Sequence, residues 1–362
     1  MIRSLLLAGL LGGCALEEIL EAGPDEMLAT TVSDERSTAA GKLFVDVPIA
    51  DGVTAFLVTA EAEDEENRLA LVGITDPSGA VVLDAADWFF SPQTLTTSFY
   101  GDGPLVTSQW PIRQEDGPIT PGTWTVELSA SEDDASIAVT TLAKADPDFA
   151  LGVVDVQIIW AEGVEAEPGV LAAVEVAVER WRTIWADRGL TLRETYVTSS
   201  IDPNLAVYPD GNLAILHAAE DATGHSLQVI IGDLVAGDRA LYGVAAGIPG
   251  TVVPTRKTYV LVSWLVHAGF DGTFDTFEEK RIFGETLAHE TGHFMGLVHP
   301  VEVGWGWFDA LLDTDECPSQ GSCQTDLGDN LMFPYPVCTG YAEDCLQQGT
   351  ITLDQKRVLQ QY

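Results

Sequence analysis

Residues 285–300 read Glu285-Thr286-Leu287-Ala288-His289-Glu290-Thr291-Gly292-His293-Phe294-Met295-Gly296-Leu297-Val298-His299-Pro300. His289 and His293 stand four apart, so a helix places both imidazoles on one face, one turn apart, where they can share a tetrahedral metal. A third imidazole at His299 lies too far along a continuing helix to join them. The chain must therefore turn sharply, and Gly296 turns at low conformational cost. Glu290 cannot be a third ligand from that helix face; it falls beside the metal position left open, where a general base is needed. Five specified positions, H-E-x-x-H-x-x-G-x-x-H, separate this stretch from an amphipathic helix whose histidines merely face solvent or core. It reads as a catalytic zinc site, with His289, His293 and His299 as ligands and Glu290 as the base.

The pattern resembles the extended zinc motif of the metzincin metallopeptidases. That resemblance implies a Met-turn downstream, and Asp329-Asn330-Leu331-Met332-Phe333-Pro334 supplies one, with Met332 33 residues after His299. A lone methionine is ordinarily core filler; here its placement makes it the expected apolar floor beneath the ligands. The fold implied over residues 150–362 is an α+β catalytic domain with a twisted mixed sheet and a zinc-binding helix. Val153 to Trp160 reads as a strand buried on both faces. Pro168 to Arg188 reads as a helix, with Val170, Ala173, Val174, Ala177, Val178, Trp181 and Trp185 at helical spacing. Leu190 to Val197, Leu227 to Ile231 and Thr258 to Val266 read as further strands.

Within the metzincins the chain resembles the pappalysin-like branch. Gly243-Val244-Ala245-Ala246-Gly247-Ile248-Pro249-Gly250 is similar to that branch's cleft-lining edge strand and turn. Phe308 to Thr314, a cysteine pair, the Met-turn, a second cysteine pair and Thr352 to Arg357 follow in the same order. One departure is plain: the branch carries a tyrosine two places after the methionine, and this chain has Pro334 there, with Tyr335 one place later.

The chain opens with Arg3, an apolar run Leu5 to Leu11, and Leu11-Gly12-Gly13-Cys14, which resembles a bacterial lipoprotein signal. The run is far shorter than the roughly twenty residues of a membrane span. Cys14 is then the lipidated first residue of an exported protein held to a bacterial membrane or cell surface, with an ordinary secretory signal as the alternative over residues 1–14. Residues 15–40, rich in Asp and Glu without an apolar period, read as a flexible acidic tether.

From Gly41 to Asp146 short alternating runs separated by turn residues predict an all-β sandwich. Candidate strands are Leu43 to Val47, Val53 to Thr59, Leu69 to Ile74, Val81 to Leu83, Thr94 to Phe99, Thr123 to Leu128 and Ile137 to Thr141. This part loosely resembles the pre-peptidase β-sandwich of secreted bacterial proteases. As an accessory domain it is expected to serve as a spacer or to contact substrate, with covering of the active site a third role.

Export sets an oxidising context for Cys317, Cys323, Cys338 and Cys345, read as two disulfides of open connectivity that staple the loop between His299 and Met332. A second zinc site is the alternative, though the spacings of 6, 15 and 7 contain no C-x-x-C. Asp309, Asp313, Asp315, Glu316, Asp326 and Asp329 crowd the same region. Such hard oxygen ligands suit calcium, and the pappalysin resemblance adds to that reading; a solvated acidic loop is the equal alternative.

The 362 residues carry 17 Lys and Arg against 56 Asp and Glu, a formal charge of −39. That field disfavours nucleic acid and anionic lipid as partners of the general surface. His217, His225 and His267 lack ligand spacing, and no G-x-S-x-G elbow is present. The expected activity is zinc-dependent hydrolysis of peptide bonds in extracellular polypeptides. A reading of another class is a surface adhesin or binding lipoprotein on a retired metzincin scaffold, which the intact Glu290 and histidines oppose.

Overall fold

The computed structural model describes residues 28–37, 40–146, 152–205, 212–220, 225–269, 271–338 and 346–362. The signal over 1–14, Cys14, residues 15–27 of the tether and Cys345 lie outside the described residues. Among the described residues no helix is long and apolar enough to cross a membrane.

The N-terminal part contains β1 (Leu28–Arg36), β2 (Lys42–Ile49), β3 (Ala55–Ala62), β4 (Leu69–Thr75), β5 (Val81–Asp84), helix α1 (Ala85–Phe89), β6 (Gln93–Thr94), β7 (Leu105–Trp110), β8 (Gly122–Ala130) and β9 (Ser136–Lys144). Two four-stranded sheets result, ordered β1-β9-β3-β7 and β2-β8-β4-β5 and antiparallel throughout. In β2 the strict alternation buries Leu43, Val45, Val47 and Ile49 and exposes the residues between them, as a strand's two-residue period requires. Phe56 of β3 meets Trp124 of β8 with ring centroids 6.0 Å apart, so side chains of the two sheets share one core.

Two sequence expectations change here. The segment read as a flexible tether contributes β1, which pairs with β9 along its whole length. This strand is stabilised by ladder hydrogen bonds more than by an apolar face: Val32 stands 71% exposed. That is why no apolar period marks it. The strand expected over Thr94 to Phe99 shrinks to β6, and β7 forms later instead. Thr107 and Gln109 of β7 are buried because the face they share meets the C-terminal part, a polar burial that periodicity does not announce.

The C-terminal part contains β10 (Val153–Trp160), α2 (Val170–Ala186), β11 (Thr191–Thr198), α3 (Leu213–Glu220), β12 (Leu227–Gly232), β13 (Gly243–Ala245), β14 (Val260–Ser263), α4 (Trp264–His267), α5 (Phe277–Phe294), β15 (Phe308–Asp309), α6 (Gln320–Leu327) and α7 (Leu353–Gln361). The sheet order is β11-β10-β12-β14-β13, parallel except for the antiparallel edge strand β13. The strand expected over Thr258 to Val266 stops at Ser263, whose hydroxyl accepts from Val266 N at 3.1 Å and caps α4.

Helix α2 buries its apolar stripe, and Trp181 and Trp185 meet edge to face inside the core. Helices α2 and α5 approach at backbone contact, since a Cβ on Gly284 would stand 2.4 Å from Ala177 O. Arg180 of α2 and Arg281 of α5 both bind Glu285, with Arg180 Nη2 to Oε1 at 2.7 Å and Arg281 Nη1 to Oε2 at 2.6 Å. The two parts of the chain also interlock: β6 pairs in parallel with β15, so a strand of the first part completes a turn of the second.

Candidate metal centre

Helix α5 starts on a capping box in which Thr276 Oγ1 accepts from Glu279 N at 3.1 Å and Glu279 Oε2 accepts from Thr276 N at 2.8 Å. It ends at Phe294, and Gly296 takes φ +99°, the left-handed turn that the motif demanded. The chain thereby folds back. His299 Nε2 comes to 3.0 Å from His293 Nε2 and 3.3 Å from His289 Nε2.

The tautomers follow from the other ring nitrogens. His289 Nδ1 donates to Leu331 O at 2.7 Å and His293 Nδ1 to Leu297 O at 2.6 Å, while His299 Nδ1 lies 3.0 Å from both oxygens of Glu302. Carbonyls and carboxylates only accept, so each Nδ1 carries the proton and each Nε2 presents a lone pair. Three lone pairs that face one another cannot hydrogen-bond among themselves. A tetrahedral zinc with bonds of about 2.0–2.1 Å would space its nitrogens about 3.3–3.4 Å apart, close to what is found. Among the described residues this triad is the one group of three or more His, Cys, Asp or Glu side chains placed to share an ion. Burial, assisted by the neighbouring imidazoles, pushes His289 down to about 3 and His293 well below its ordinary value. Both stay neutral at neutral pH, the form a metal requires.

Glu290 lies beside the triad with its side chain against β13. In the metal-free protein burial pushes its carboxyl up to about 8, opposed by a hydrogen bond accepted from Ala245 N. A nearby cation works in the opposite direction and favours the carboxylate. Gly243 is required at this contact, because a Cβ there would stand 2.7 Å from Glu290 Cγ.

Met332 is fully buried beneath Gly292. Its N–H donates to Asn330 Oδ1 at 2.8 Å, and Asn330 is locked to Gln355 of α7 by reciprocal amide bonds of 3.0 and 3.2 Å. The same turn supplies Leu331 O to His289, so one loop orients a ligand and packs under the helix. Tyr335 lines the cleft, and its hydroxyl accepts from Gln320 Nε2 at 3.1 Å. The cleft has a volume of about 430 Å³ and is lined by Gly243 to Ala245, Ile248, Ile282, Leu331 and Phe333 to Pro336 among others.

The calcium reading gains no support: among the described residues, none of these carboxylates belongs to a group of three or more placed to share an ion. The acidic side chains of the 309–329 region cap and tie the chain instead of converging on one point. Asp309 is buried and accepts from Leu311 N at 3.2 Å and from the Thr314 hydroxyl. Asp313 accepts from Thr352 Oγ1 and Asp354 N at 2.8 and 2.9 Å, which ties the start of α7, and Asp329 accepts from Thr350 Oγ1 at 2.9 Å. Asp315 and Asp326 are exposed, and Glu316 accepts from Gln93 Nε2 at 3.0 Å. Cys317 and Cys323 form a disulfide, so the first pair is sequential and clasps a local turn at the start of α6 rather than spanning the loop from His299 to Met332. Cys338 is disulfide-bonded as well. His267 is fully satisfied in the core: Nδ1 donates to Ser263 O and Nε2 accepts from Thr286 Oγ1.

Glu302 carried no sequence mark, and Asn330, Gly243, Ala245 and Gln355 stood in stretches quoted from the sequence without a role of their own. Glu302, three residues after His299, and Asn330, two before Met332, are close enough in the chain to have been suspected from the motifs. Gly243, Ala245 and Gln355 reach the site only through tertiary packing.

No family model and no curated protein matches the chain. Among solved structures it is similar to the archaemetzincin of Methanopyrus kandleri, at 15% identity and a TM-score of 0.34, over 58% of this chain and 94% of that one. Metalloproteinase-II of Bacteroides fragilis is similar at 9% identity and a TM-score of 0.35, over 61% of each chain. A Bacillus licheniformis lipase in its propeptide form is similar over 33% of this chain and 22% of that one, at 14% identity and a TM-score of 0.21. Metallopeptidases thus stand among the structural neighbours. At these scores the superposition is partial, and the triad itself carries the chemical reading.

Proposed function

We propose that the protein is a zinc-dependent endopeptidase of the pappalysin-like branch of the metzincins, exported and anchored to a bacterial membrane or cell surface through lipidated Cys14, which hydrolyses extracellular polypeptides. The observation that supports this most directly is the convergence of three proton-free Nε2 atoms beside a buried Glu290 on the wall of an open cleft.

Zinc held by the three imidazoles supplies Lewis acidity, which makes water a nucleophile near neutral pH and polarises a carbonyl. The chain's own residues do the rest. His289, His293 and His299 are held in one tautomer by Leu331 O, Leu297 O and Glu302, so ligand geometry is fixed before the ion arrives. Glu290 takes the proton of the attacking water and delivers it to the leaving amine. The Ala245 N–H keeps that carboxylate aimed into the cleft. An extended substrate lies along the edge strand β13 and pairs with it through main-chain hydrogen bonds, which depend little on side-chain identity.

The test is Glu290→Gln in the full chain. Zinc content and fold are expected to persist while peptide hydrolysis falls by about 100-fold or more, since Glu290 handles protons and is not a ligand. Undiminished turnover, or loss of zinc from that variant, would show the role misassigned. Stoichiometric zinc in the unaltered protein with no cleavage of any peptide library would favour the binding lipoprotein instead.

A further inference from the structure

The wall of the cleft is tied to the N-terminal sheets by its own main chain. Beyond β13 the segment runs through Ile248 and Pro249 to Gly250, and Ile248 lines the cleft. Ile248 O accepts from Thr96 Oγ1 at 2.7 Å and from Thr97 N at 3.3 Å, and Ile248 N donates to Thr97 Oγ1 at 3.2 Å. The carbonyl of Pro249 accepts from the hydroxyl of Thr107 on β7. Thr59 of β3 donates to Thr251 at 2.9 Å. Every one of these donors and acceptors on the N-terminal side is a threonine or its backbone.

The same end of the segment is fixed to α5 as well. Gly250 N donates to Phe294 O at 2.8 Å, and a Cβ on Gly250 would stand 2.3 Å from the Phe294 ring, so the loop lies directly on the last residue of α5. Just before these anchors in the chain lies β13, with Gly243 against Glu290 Cγ and Ala245 N donating to the Glu290 carboxyl. A strand of three residues on a sheet edge has little stability of its own.

We infer that Thr97 and Thr107 are positioning residues, and that the N-terminal sheets are a brace that holds segment 243–250 in register with Glu290; the kinetic consequence, though not the brace itself, rests on the peptidase reading. A spacer domain would touch the catalytic part through side chains and leave the cleft main chain alone. This one satisfies both polar groups of Ile248 and the carbonyl of Pro249. Losing the hydroxyl of Thr107 strands a buried carbonyl without a donor, and the segment escapes that penalty only by moving.

The experiment uses the full zinc-loaded chain with Thr97→Val and Thr107→Val, each beside its Thr→Ser counterpart, and reads backbone hydrogen exchange, zinc content and kcat/KM. The valine variants are expected to exchange about tenfold faster or more over residues 244–250, with protection elsewhere in the N-terminal sheets and zinc stoichiometry unchanged. Their kcat/KM falls by about tenfold or more, and the serine variants, which keep the hydroxyl, return toward the parent. Unchanged exchange over 244–250, equal loosening of the whole N-terminal sheets, or serine variants no better than valine would overturn the inference. Thr97 is only half-buried, so its valine variant decides the matter even where Thr107→Val fails to fold. If the parent cleaves no peptide while exchange responds as expected, the peptidase reading fails and the brace stands.

Discussion

Met332 Sδ lies 2.8 Å from the point where a Cβ on Gly292 would stand. Gly292 is the residue before His293, so Met332 presses on the bare backbone of α5 between His289 and His293. The sulfur has no room to retreat, because Met332 is 0% exposed. Gly292→Ala gains up to about 1 kcal/mol of helix propensity and loses about 1–3 kcal/mol to overpacking, for a net destabilisation of order 1 kcal/mol and weaker zinc retention. Urea unfolding of the zinc-loaded protein measures it. In a Met332→Ala background the same change should become neutral or stabilising, and a cost that persists there would put the strain somewhere other than the sulfur.

Gly243→Ala tests the contact between β13 and the base. The backbone at this position is not left-handed, so alanine's only obstacle is Glu290 Cγ at 2.7 Å. The carboxylate is expected to shift by enough to lower kcat by about 10- to 100-fold, while zinc content stays at one per chain. Steady-state kinetics with metal analysis decide it, and a variant with full kcat would separate Gly243 from catalysis.

Asp309 makes stability depend on pH in a direction opposite to that of most carboxylates. Burial raises its carboxyl to about 7, partly opposed by the hydrogen bonds from Thr314 and Leu311, while one of its oxygens has no partner. The unfolded chain releases this proton near about 4. Between those values the native state holds the extra proton, so the Asp309 contribution falls as pH rises from about 4 to about 7 and is flat outside that window. Asp309→Asn keeps the shape without the charge. Its stability relative to the parent should therefore increase between pH 4 and pH 7 by an amount on the order of a few kcal/mol. Parallel denaturation curves for the two proteins would refute this.

Cys14→Ser is expected to move the protein from the membrane fraction to the soluble fraction with peptidase activity unaltered, because a lipid at that residue acts only as an anchor. Unchanged partitioning on cell fractionation rules out the lipid.

The helix that carries His289 and His293 was legible because its information is local. The histidine spacing and a glycine for the turn fall within 11 residues, from His289 to His299. Alternation likewise revealed β2 and β8, whose outer faces meet water. Legibility failed where burial was polar or where a strand lay at an edge. Thr107 and Gln109 look like surface residues until the second half of the chain covers them, and Thr30 to Glu35 of β1 include no buried side chain to betray the strand. The acidic loop left two readings open for a related reason. Composition shows how many carboxylates are present, but not that Asp313 and Asp329 spend their oxygens on nearby hydroxyls and amides.

The exchange between β6 and β15, together with the buried side chains common to both parts, has a thermal consequence. A linker-joined pair of domains melts in two steps, each with its own enthalpy. Here neither part has a complete boundary of its own, and opening one exposes the polar backbone of the other. Calorimetry should record one endotherm whose van't Hoff and calorimetric enthalpies agree, and limited proteolysis should find no cut that frees a surviving half.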